Sequence, residues 1–437
     1  MKHKIGIRYE DKYKMERRVP LVPDHVKQLV GQGIEIQVVP SEKRVFTDEE
    51  YRQAGAVLRE EPLDADVILG VKEMPLNYFK PHKTYVFFSH TIKGQPYNMP
   101  LLRNMMESQI NLIDYERIVD AQGRRLIFFG RFAGLAGMIN SLWSLGERLK
   151  RKGMQTPLAN LKQTHHYDSL EQAKAAVSAV GQEIARHGLP VSLSPVVVGI
   201  TGYGNVSKGA QEILSLLPVI EISPADLLTL HQQKELPSNV IYKVVFEEKH
   251  LARPKEQGKA FDLQEYYHHP ERFEGTFEQY LPHLTVLMNC MYWDDRYPRI
   301  VTKDYLEKLW RNRNLRLEVI GDVTCDPDGS VEITHKGTAI EDPVFVYHPE
   351  TRKPVMGFDG EGVLVMAVDI LPSELPRESS QAFSDALIRF LPGLLKADFE
   401  VPFDRLQVPD PLKKAMILYH GQLTPDYRYL EQHLKNQ

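Results

Sequence analysis

The sequence predicts an α/β protein built on two largely parallel sheets, and three observations lead to this prediction. The 437 residues are enough for two or three domains of roughly 150 residues each. Apolar, strand-like runs alternate with helix-like stretches over the first 130 residues. A second alternation begins near residue 194 with an apolar run, a glycine-rich turn and a helix. Such alternation is typical of parallel sheets, whose functional groups lie at the carboxyl ends of the strands.

The first alternation contains four predicted strands and one clear helix. The strands are KIGIR (4–8), IEIQVV (34–39), DADVILGVKE (64–73) and TYVFFSH (84–90). Pro23 opens a helical stretch that ends at Gly31, because glycine is common where helices stop. With a returning C-terminal segment, we predict a first domain of residues 1–135 plus 370–437.

Two further helical stretches, at about 131–150 and from Asp168, lead to a second α/β unit. We predict that residues 136–190 connect the domains and that residues 190–369 form a Rossmann domain, so that two Rossmann-like domains enclose a cleft. The charged stretch 223–284, rich in His and Tyr, is predicted to be irregular. The later strands are VIEI (219–222), TVLMNCMYW (285–293), LRLEVIGDV (315–323) and GVLVMAVDIL (362–371).

Composition excludes several classes of protein. The formal charge is −4 and 42% of the residues are hydrophobic, so the chain is neither mainly disordered nor a nucleic-acid binder that relies on bulk positive charge. Cys290 and Cys325 are too few for a disulfide framework or a cysteine-rich metal module. The charged N-terminus lacks an apolar signal core, and no apolar run is long enough for a membrane helix. We expect a cytoplasmic enzyme without a bound metal, and the oligomeric state is left open.

The turn TGYGNVSKGAQEI (201–213) predicts a dinucleotide site. Gly202 permits a tight bend, and Gly204 leaves no Cβ beside a pyrophosphate. The N–H groups at the start of the following helix would bind phosphate. Ser207 replaces the third glycine of the usual spacing, and Gly209 follows two residues later. The alternative is a purely structural turn between a strand and a helix.

The residue that ends the second strand normally separates NAD from NADP, because a carboxylate there accepts the 2′-hydroxyl and repels a 2′-phosphate. Glu221 and Ser223 both lie near this point. If Ser223 holds the position, NADP is permitted, and we lean towards NADP although no arginine follows closely. The predicted cofactor residues are Gly202, Gly204, Asn205, Val206, Ser207, Ser223 and Asn289.

Polar side chains follow two predicted strands of the first domain. Lys72 and Glu73 end the run at 64–73, and His90 ends the next run, with Lys93 three residues later. The carboxyl ends of parallel strands share one edge, so Lys72 and His90 are expected to converge. An amine and an imidazole in one cleft suit proton transfer. The alternative is a solvated lysine and a capping histidine.

Arginine pairs occur at 17–18, after the first strand, and at 124–125, before another apolar run. Guanidinium groups bind carboxylates through two parallel hydrogen bonds, so these arginines are candidate substrate ligands, with a solvated surface as the alternative. The histidine pairs at 165–166 and 268–269 lack the i, i+4 spacing of a helical metal site.

About a dozen segments resemble the saccharopine dehydrogenase family, within the alanine dehydrogenase and transhydrogenase superfamily. Among them are ERRVPLVP (16–23), ILGVKEMP (68–75), FFSHTIKGQ (87–95) and DYERIVDAQGRRLIFFGRFAGLAG (114–137). Others resemble more narrowly the lysine–2-oxoglutarate reductase that forms saccharopine: TGYGNVSKGAQEI (201–213), LMNCMYW (287–293), DPDGSVEIT (326–334) and VDILPSELPRESS (368–380). The resemblance is weakest at 223–284 and after residue 400.

This resemblance implies a set of site residues. Lys72 and His90 match the family's acid–base pair, and Arg18 and Arg124 match arginines that hold substrate carboxylates. The other implied substrate residues are Glu73, Lys93, Glu116, Asp326 and Asp369. Two positions depart from the family: Ser223 replaces an acid at the end of the second Rossmann strand, and Ile370 replaces the histidine of the lysine-forming branch.

The implied activity is the NAD(P)H-dependent reductive condensation of L-lysine with 2-oxoglutarate to saccharopine, one of the two steps of the bifunctional enzymes. The alternatives are a lysine-forming, NAD-dependent saccharopine dehydrogenase or a related amino acid dehydrogenase. A third is a cofactor-binding regulatory protein without catalysis. The expected partners are small molecules, namely lysine, 2-oxoglutarate and saccharopine, rather than nucleic acid or a membrane.

Overall fold

The computed structural model describes residues 4–233 and 235–435, which form two compact units. The first unit contains the chain up to Phe129 and the segment from Pro376 onwards, and the second contains Gly130–Leu375. The stretch 136–190, predicted to connect two domains, lies inside the second unit. The predicted α/β class with two largely parallel sheets is confirmed.

The N-terminal segment of the first unit alternates strands and helices. It contains β1 (Lys4–Ile7), α1 (Pro23–Gly31), β2 (Glu35–Val38), α2 (Asp48–Gln53), β3 (Val57–Leu58), β4 (Val67–Leu69), β5 (Thr84–Phe87), α3 (Met99–Glu107) and β6 (Asn111–Asp114). All four predicted strands are present, and β3 and β6 add two more. The paired strands are shorter than the runs from which they were predicted.

The second unit begins with two long helices and continues as an α/β sheet. It contains α4 (Gly130–Arg151), α5 (Leu170–His187), β7 (Val196–Thr201), α6 (Asn205–Leu214), β8 (Val219–Glu221), α7 (Pro224–Thr229), β9 (Ile241–Phe246), α8 (Glu248–Leu251), β10 (Ala252–Pro254), α9 (Leu263–His268), β11 (Phe273–Gly275), β12 (Val286–Asn289), α10 (Lys303–Arg311), β13 (Val319–Asp322), β14 (Val344–His348), β15 (Lys353–Met356) and β16 (Val363–Met366). The glycine-rich turn lies between β7 and α6, as predicted.

The C-terminal segment returns to the first unit and completes its sheet, as predicted. It contains α11 (Pro376–Leu387), α12 (Leu391–Leu395), α13 (Asp410–Ala415), β17 (Met416–Tyr419), β18 (Gln422–Leu423) and α14 (Glu431–Lys435). Strand β17 pairs antiparallel with β6, and β18 pairs with β17. The segment after residue 400 therefore supplies one edge of the first sheet.

Each large sheet has eight strands, most of them parallel. The first has the order β18-β17-β6-β5-β4-β1-β2-β3, and the second has the order β15-β14-β16-β13-β12-β7-β9-β8. In the second sheet β14 pairs antiparallel with both of its neighbours, β15 and β16. Because β9 pairs with both β7 and β8, the strand that follows β7 in the chain is not its neighbour in space.

The prediction that residues 223–284 are irregular is wrong. The stretch contains α7, the six-residue strand β9, and a small insert of α8, β10, α9 and β11. Strand β9 has a mostly buried apolar run, IYKVVF, between β7 and β8. The insert has its own small core of Ala252, Tyr266 and Phe273. The charged and aromatic surroundings concealed these elements from the sequence pattern.

Helices α4 and α6 pack with their backbones in close contact. A Cβ atom at Gly209 would overlap the carbonyl oxygen of Arg131, and one at Gly134 would overlap the carbonyl oxygen of Val206. Only glycine fits at these two positions, and this packing fixes the amino end of α6 behind the glycine-rich turn. Within residues 4–233 and 235–435, no helix combines the length and apolar character needed to cross a bilayer.

Candidate active site

The carboxyl ends of four neighbouring parallel strands, β1, β4, β5 and β6, gather polar residues at one edge of the first sheet. Lys72 follows β4, His90 follows β5 and Glu116 follows β6. Chain segments that are distant in sequence thus reach one edge, where α/β proteins normally bind ligands. The structure therefore brings Lys72 and His90 to the same edge of the first unit.

Glu73 joins two basic side chains at this edge. His90 Nδ1 lies 2.7 Å from Glu73 Oε1, and Lys12 Nζ donates to the same oxygen at 2.6 Å. Burial raises the pKa of Glu73, but the hydrogen bonds and charges of His90 and Lys12 outweigh it and lower the pKa to about 2. The ionised carboxylate holds a proton on Nδ1, so Nε2 is the ring nitrogen that can exchange a proton with a substrate.

The backbone around His90 is held by its neighbours. The residue has a left-handed φ of 53°, which is uncommon for residues other than glycine. Buried Asn98 donates its side-chain N–H to the His90 carbonyl oxygen at 2.8 Å, and the Ser89 N–H donates to Asp114 at 2.9 Å. These bonds, made from the residue before α3 and from the end of β6, hold the backbone of Ser89 and His90.

Lys72 is positioned through its backbone by a carboxylate that the sequence analysis missed. Glu10 is buried, and its two oxygens accept the N–H groups of Val71 at 2.7 Å and Lys72 at 2.9 Å. Burial, opposed by the charge of Arg8, raises the pKa of Glu10 to about 7. The Lys72 ammonium lies 5.5 Å from the centroid of the Tyr13 ring, within the range of a cation–π contact.

Arg18 is buried and already paired with a carboxylate of the protein. Its Nε donates to Glu16 Oε1 at 2.7 Å, and its Nη2 donates to Glu16 Oε2 at 2.5 Å. The guanidinium also lies 4.2 Å from the centroid of the Phe129 ring. A substrate carboxylate bound to Arg18 would therefore share the guanidinium with Glu16.

The remaining predicted substrate residues of the first unit lie near its surface. Arg124 is exposed and donates through Nε to Asp120 at 2.7 Å, while its neighbour Arg125 forms an ion pair with Glu116. Lys93 is exposed on the loop after His90. Of the second arginine pair, Arg125 is thus the one that contacts Glu116.

In the second unit the glycine-rich turn has the features that a dinucleotide requires. Gly202 has a φ of 81°, which favours glycine, and a Cβ at Gly204 would point into open space. Gly204 is the N-cap of α6, and no side chain caps this end of the helix. The first N–H groups of α6, at 205–207, are thus available to a phosphate, so these residues fit the predicted cofactor.

The two candidates for recognition of the cofactor ribose lie away from this turn. Ser223 caps α7 and exchanges hydrogen bonds with Asp226, and Glu221 forms an ion pair with Lys243 at 2.6 Å. Glu221 is the last residue of β8 and Ser223 follows that strand, which is separated from β7 by β9. The order of strands in space thus differs from their order in sequence, and a role of Glu221 or Ser223 in recognising the ribose stays a prediction.

Asn289 lies at the end of β12 in a buried polar network. Its Nδ2 donates to Asp322 and Ser330, each at 2.8 Å, and its Oδ1 accepts from Thr201 at 3.0 Å. Burial raises the pKa of Asp322 at the centre of this network. Asn289 thus cross-links the ends of β7, β12 and β13, and its contact with a cofactor stays a prediction.

Asp326 and Asp369 both follow neighbouring strands of the second sheet. Asp326 lies in the loop after β13, and Asp369 lies just after β16. Cys325, next to Asp326 in the chain, has its Sγ 3.8 Å from Asp369 Oδ1. The two carboxylates therefore belong to one edge of the second unit.

Two groups of candidate residues escaped the sequence analysis. The first consists of charged and aromatic residues directly after β1: Glu10, Lys12, Tyr13 and Glu16. Their only sequence signal is a dense run of charges after a strand. The second lines a cavity of about 340 Å³ beside the glycine-rich turn and includes Tyr203, Glu248, Tyr266, Tyr267, Tyr292 and Tyr297. A high density of tyrosine was its only signal.

Comparison with known sequences agrees with the predicted family. The family model for the alanine dehydrogenase/PNT N-terminal domain matches residues 6–136. An alpha-aminoadipic semialdehyde synthase of Arabidopsis thaliana is 40% identical over 98% of this chain, and a mitochondrial one of Bos taurus is 35% identical over 99%. The chain spans only 41% and 48% of the length of these two relatives. A lysine-forming saccharopine dehydrogenase (NAD⁺) of Emericella nidulans is 28% identical over 90% of this chain and 92% of its own length.

Solved structures agree on the fold. An L-alanine dehydrogenase superposes with a TM-score of 0.62 at 18% identity and covers 99% of both chains. A transhydrogenase from Sinorhizobium meliloti superposes with a TM-score of 0.56 at 14% identity, over 97% of this chain and all of its own. At such identities these neighbours establish the two-sheet architecture alone.

The relatives include dehydrogenases of amino acid substrates, which agrees with the predicted class of NAD(P)-dependent oxidoreductase acting on CH–NH bonds. One relative carries the word mitochondrial in its name, and the expected cytoplasmic location stays a prediction. Sequence identity over nearly the whole chain, the matched N-terminal domain and the two-sheet fold all lead to the same conclusion. The chain carries an alanine dehydrogenase/PNT N-terminal domain at residues 6–136 and is similar over nearly its whole length to alpha-aminoadipic semialdehyde synthases and to saccharopine dehydrogenases.

Proposed function

We propose that this chain catalyses the NAD(P)H-dependent reductive condensation of L-lysine with 2-oxoglutarate to saccharopine. The observation that supports this proposal best is the edge of the first sheet, where Lys72 and His90 follow neighbouring strands and each is held by a carboxylate. The 40% identity to a semialdehyde synthase over nearly the whole chain supports the same substrate class.

The reaction needs a neutral amine, a proton donor for the departing hydroxyl group, and cations for three substrate carboxylates. His90, held through Nδ1 by Glu73, exchanges a proton at Nε2, and the Lys72 ammonium donates a proton at Nζ. Arg18 and Arg124 orient carboxylates, and Glu116 or Asp369 accepts the α-ammonium group of lysine. In this scheme the protein contributes mainly placement of the reactants and proton transfer.

The nicotinamide cofactor, when bound, supplies the hydride that reduces the imine. Gly202, Gly204 and the amino end of α6 would hold its pyrophosphate. We keep NADP as the first cofactor to assay because Ser223 brings no carboxylate of its own to the end of β8. The Asp226 carboxylate beside Ser223 argues for NAD, so both cofactors belong in the assay.

A spectrophotometric assay with the purified chain tests this function. Oxidation of NADPH or NADH should require lysine and 2-oxoglutarate together, and saccharopine should form in equal amount. Parallel reactions contain saccharopine with oxidised cofactor, and pyruvate with ammonia. Turnover of pyruvate and ammonia alone would reject the proposal in favour of an alanine dehydrogenase.

The closest rival is a lysine-forming saccharopine dehydrogenase, which the similarity to the Emericella nidulans enzyme favours. It predicts that the oxidative direction, from saccharopine with NAD⁺, is the faster one near neutral pH. A non-catalytic regulatory protein predicts cofactor binding without turnover in any of these reactions. The ratio of forward to reverse rates with each cofactor therefore separates the two enzymatic functions, and the absence of both rates identifies the non-catalytic protein.

A further inference from the structure

The loop of residues 91–95, which follows His90, lies against the C-terminal part of the chain. A short 3₁₀ helix and α14 follow β18, and we name these two elements together, residues 425–435, the C-terminal clamp. The clamp is attached to the first unit through its own apolar side chains, because Leu430 is fully buried in the core of that unit and Leu434 packs against it.

Two side chains of the clamp contact the residues on either side of Lys93. The hydroxyl of Tyr429 donates to the carbonyl oxygen of Ile92 at 2.6 Å. The ring of His433 lies against Gly94, where a Cβ atom would be 2.5 Å from two ring carbon atoms. Gly94 also has a φ of 64°, which favours glycine, so the backbone of the loop can approach the ring closely. The clamp therefore holds the loop on both sides of Lys93.

Further hydrogen bonds attach the clamp to other segments of the first unit. Arg103 of α3 donates through Nη2 to the carbonyl oxygen of Leu434 at 2.9 Å. Arg117 donates through Nε to the hydroxyl of Tyr427 at 3.2 Å, and this hydroxyl donates to the carbonyl oxygen of Lys414 at 2.7 Å. Because the clamp is itself held near both of its ends, it can restrain the loop.

His90 and Lys93 differ in what holds them. Asn98 donates to the His90 carbonyl oxygen at 2.8 Å, and Glu73 lies 2.7 Å from the His90 ring nitrogen, so His90 is held without the clamp. Lys93 has an exposed side chain, and its neighbours on both sides contact the clamp. Loss of these contacts is therefore expected to disturb Lys93 more than His90.

We propose that Tyr429 and His433 are positioning residues, which hold the loop of residues 91–95 so that the Lys93 ammonium can bind a carboxylate of the oxoacid. This inference rests on the proposed function, because the family resemblance implies the role of Lys93. It gives a role to a part of the chain, after residue 400, where that resemblance is weakest.

Hydrogen exchange of the protein without substrates tests whether the clamp holds the loop. Tyr429→Phe removes the hydroxyl that bonds to Ile92 and keeps the ring, so the variant should fold. We expect the amides of residues 92–95 to exchange about two- to tenfold faster, on the scale of one net hydrogen bond. Arg428→Leu, at an exposed neighbour within the clamp, is the matched control and should leave these rates unchanged. Unchanged exchange in both Tyr429→Phe and His433→Ala would overturn the clamp.

Steady-state kinetics test the positioning of Lys93. In Tyr429→Phe and His433→Ala we expect the KM for 2-oxoglutarate to rise about threefold or more, while the KM for lysine and kcat change by less than about twofold. A disturbance of the whole active site would instead change all three constants. Added to Lys93→Met, the same substitutions should cause no further rise, because the group that they position is absent. A full further rise in the double variants, or an unchanged KM despite faster exchange, would overturn the assignment.

The inference and the proposed function can fail separately. If the wild type shows no turnover of lysine with 2-oxoglutarate, the proposed function fails, and the exchange rates alone decide whether the clamp holds the loop. If the wild type is active, and Tyr429→Phe and His433→Ala match it in exchange and in KM, the inference fails while the proposed function stands.

Discussion

His90 Nδ1 lies 2.7 Å from Glu73 Oε1, and these two residues follow neighbouring strands of the first sheet. The contact sets the proton-bearing nitrogen of His90 and keeps Glu73 ionised. A histidine and a lysine that the chain separates by 17 intervening residues are thereby brought to one sheet edge.

Loss of either proposed proton-transfer group should reduce turnover. We expect Lys72→Met and His90→Gln each to lower kcat by about 100-fold or more, the usual scale for a positioned acid or base. Steady-state kinetics with saturating lysine and 2-oxoglutarate measure the effect. Lys80→Met, which changes an exposed lysine of the same unit, should leave kcat unaltered. Near-normal turnover in a folded Lys72→Met variant would remove that residue from the mechanism.

Glu73→Gln should destabilise the protein in a pH-dependent way. The folded-state pKa of Glu73, about 2, lies below its ordinary value of 4.5, so the stabilisation is fully present above pH 4.5 and is lost as the pH falls towards 2. We expect a loss of about 1–3 kcal/mol at pH 7 that shrinks on acidification. Thermal unfolding of wild type and variant at pH 7, 4 and 3 gives the difference. A difference that grows towards pH 3 would contradict the assignment.

Glu10 should show the opposite pH dependence. Its folded-state pKa, about 7, lies above 4.5, so the folded state binds the proton more tightly than the unfolded chain does. The carboxyl group therefore favours the folded state most at or below pH 4.5, and this contribution declines as the pH rises to 7. In Glu10→Gln this decline should disappear. Unfolding free energies at pH 5 and 8 measure it, and parallel pH profiles for variant and wild type would refute the buried, protonated carboxyl.

Removal of Arg18 should affect stability as well as substrate binding. Arg18→Ala removes the two hydrogen bonds that the guanidinium donates to the buried Glu16 carboxylate, and breaking a buried ion pair of this kind costs about 3–5 kcal/mol. Denaturant unfolding should register this loss, and the KM for 2-oxoglutarate should rise. The double variant with Glu16→Gln should recover part of the stability. Arg124→Ala, at a 76% exposed side chain, should change stability by less than about 0.5 kcal/mol.

The contact between α4 and α6 should tolerate no side chain. Gly209→Ala would drive a Cβ into the Arg131 carbonyl oxygen, and we expect a loss of about 2 kcal/mol or more. Gly31→Ala is the matched control, because a Cβ there meets nothing within 4 Å and alanine favours the helix by about 0.5–1 kcal/mol. Chemical denaturation of both variants gives the comparison. Equal stability of Gly209→Ala and wild type would show that the helices can separate.

Much of the structure of the first unit could be predicted from the sequence, because the patterns that indicate its strands are local. The strands at 4–7, 67–69 and 84–87 are apolar runs with polar ends, and parallel pairing alone brings the residues after them to one edge. Lys72 and His90 could therefore be selected from spacing and resemblance. Two further contacts at this edge could not be selected in this way, because Glu10 accepts from the Lys72 N–H and Lys12 donates to Glu73 across more than 60 positions of chain.

The second unit shows the limit of local signals. The glycine-rich turn was predictable, since it needs only a strand, two glycines and a helix. The position of β9 between β7 and β8 was not predictable, because the residues of a single strand do not specify which strand will pair with it. Because of this strand order, Glu248 rather than Ser223 lies beside the glycine turn. Asn289, at the end of β12, lies in a buried network.

The sequence by itself determined the α/β class, the glycine turn, the resemblance to known dehydrogenases and the positions of Lys72 and His90, because each depends on residue type and short-range spacing. Only the tertiary structure decided which carboxylate faces each cation and which strand borders the glycine turn. Those choices depend on burial and on contacts between distant segments, where hydrogen bonds and charges act over a few ångströms whatever the separation along the chain.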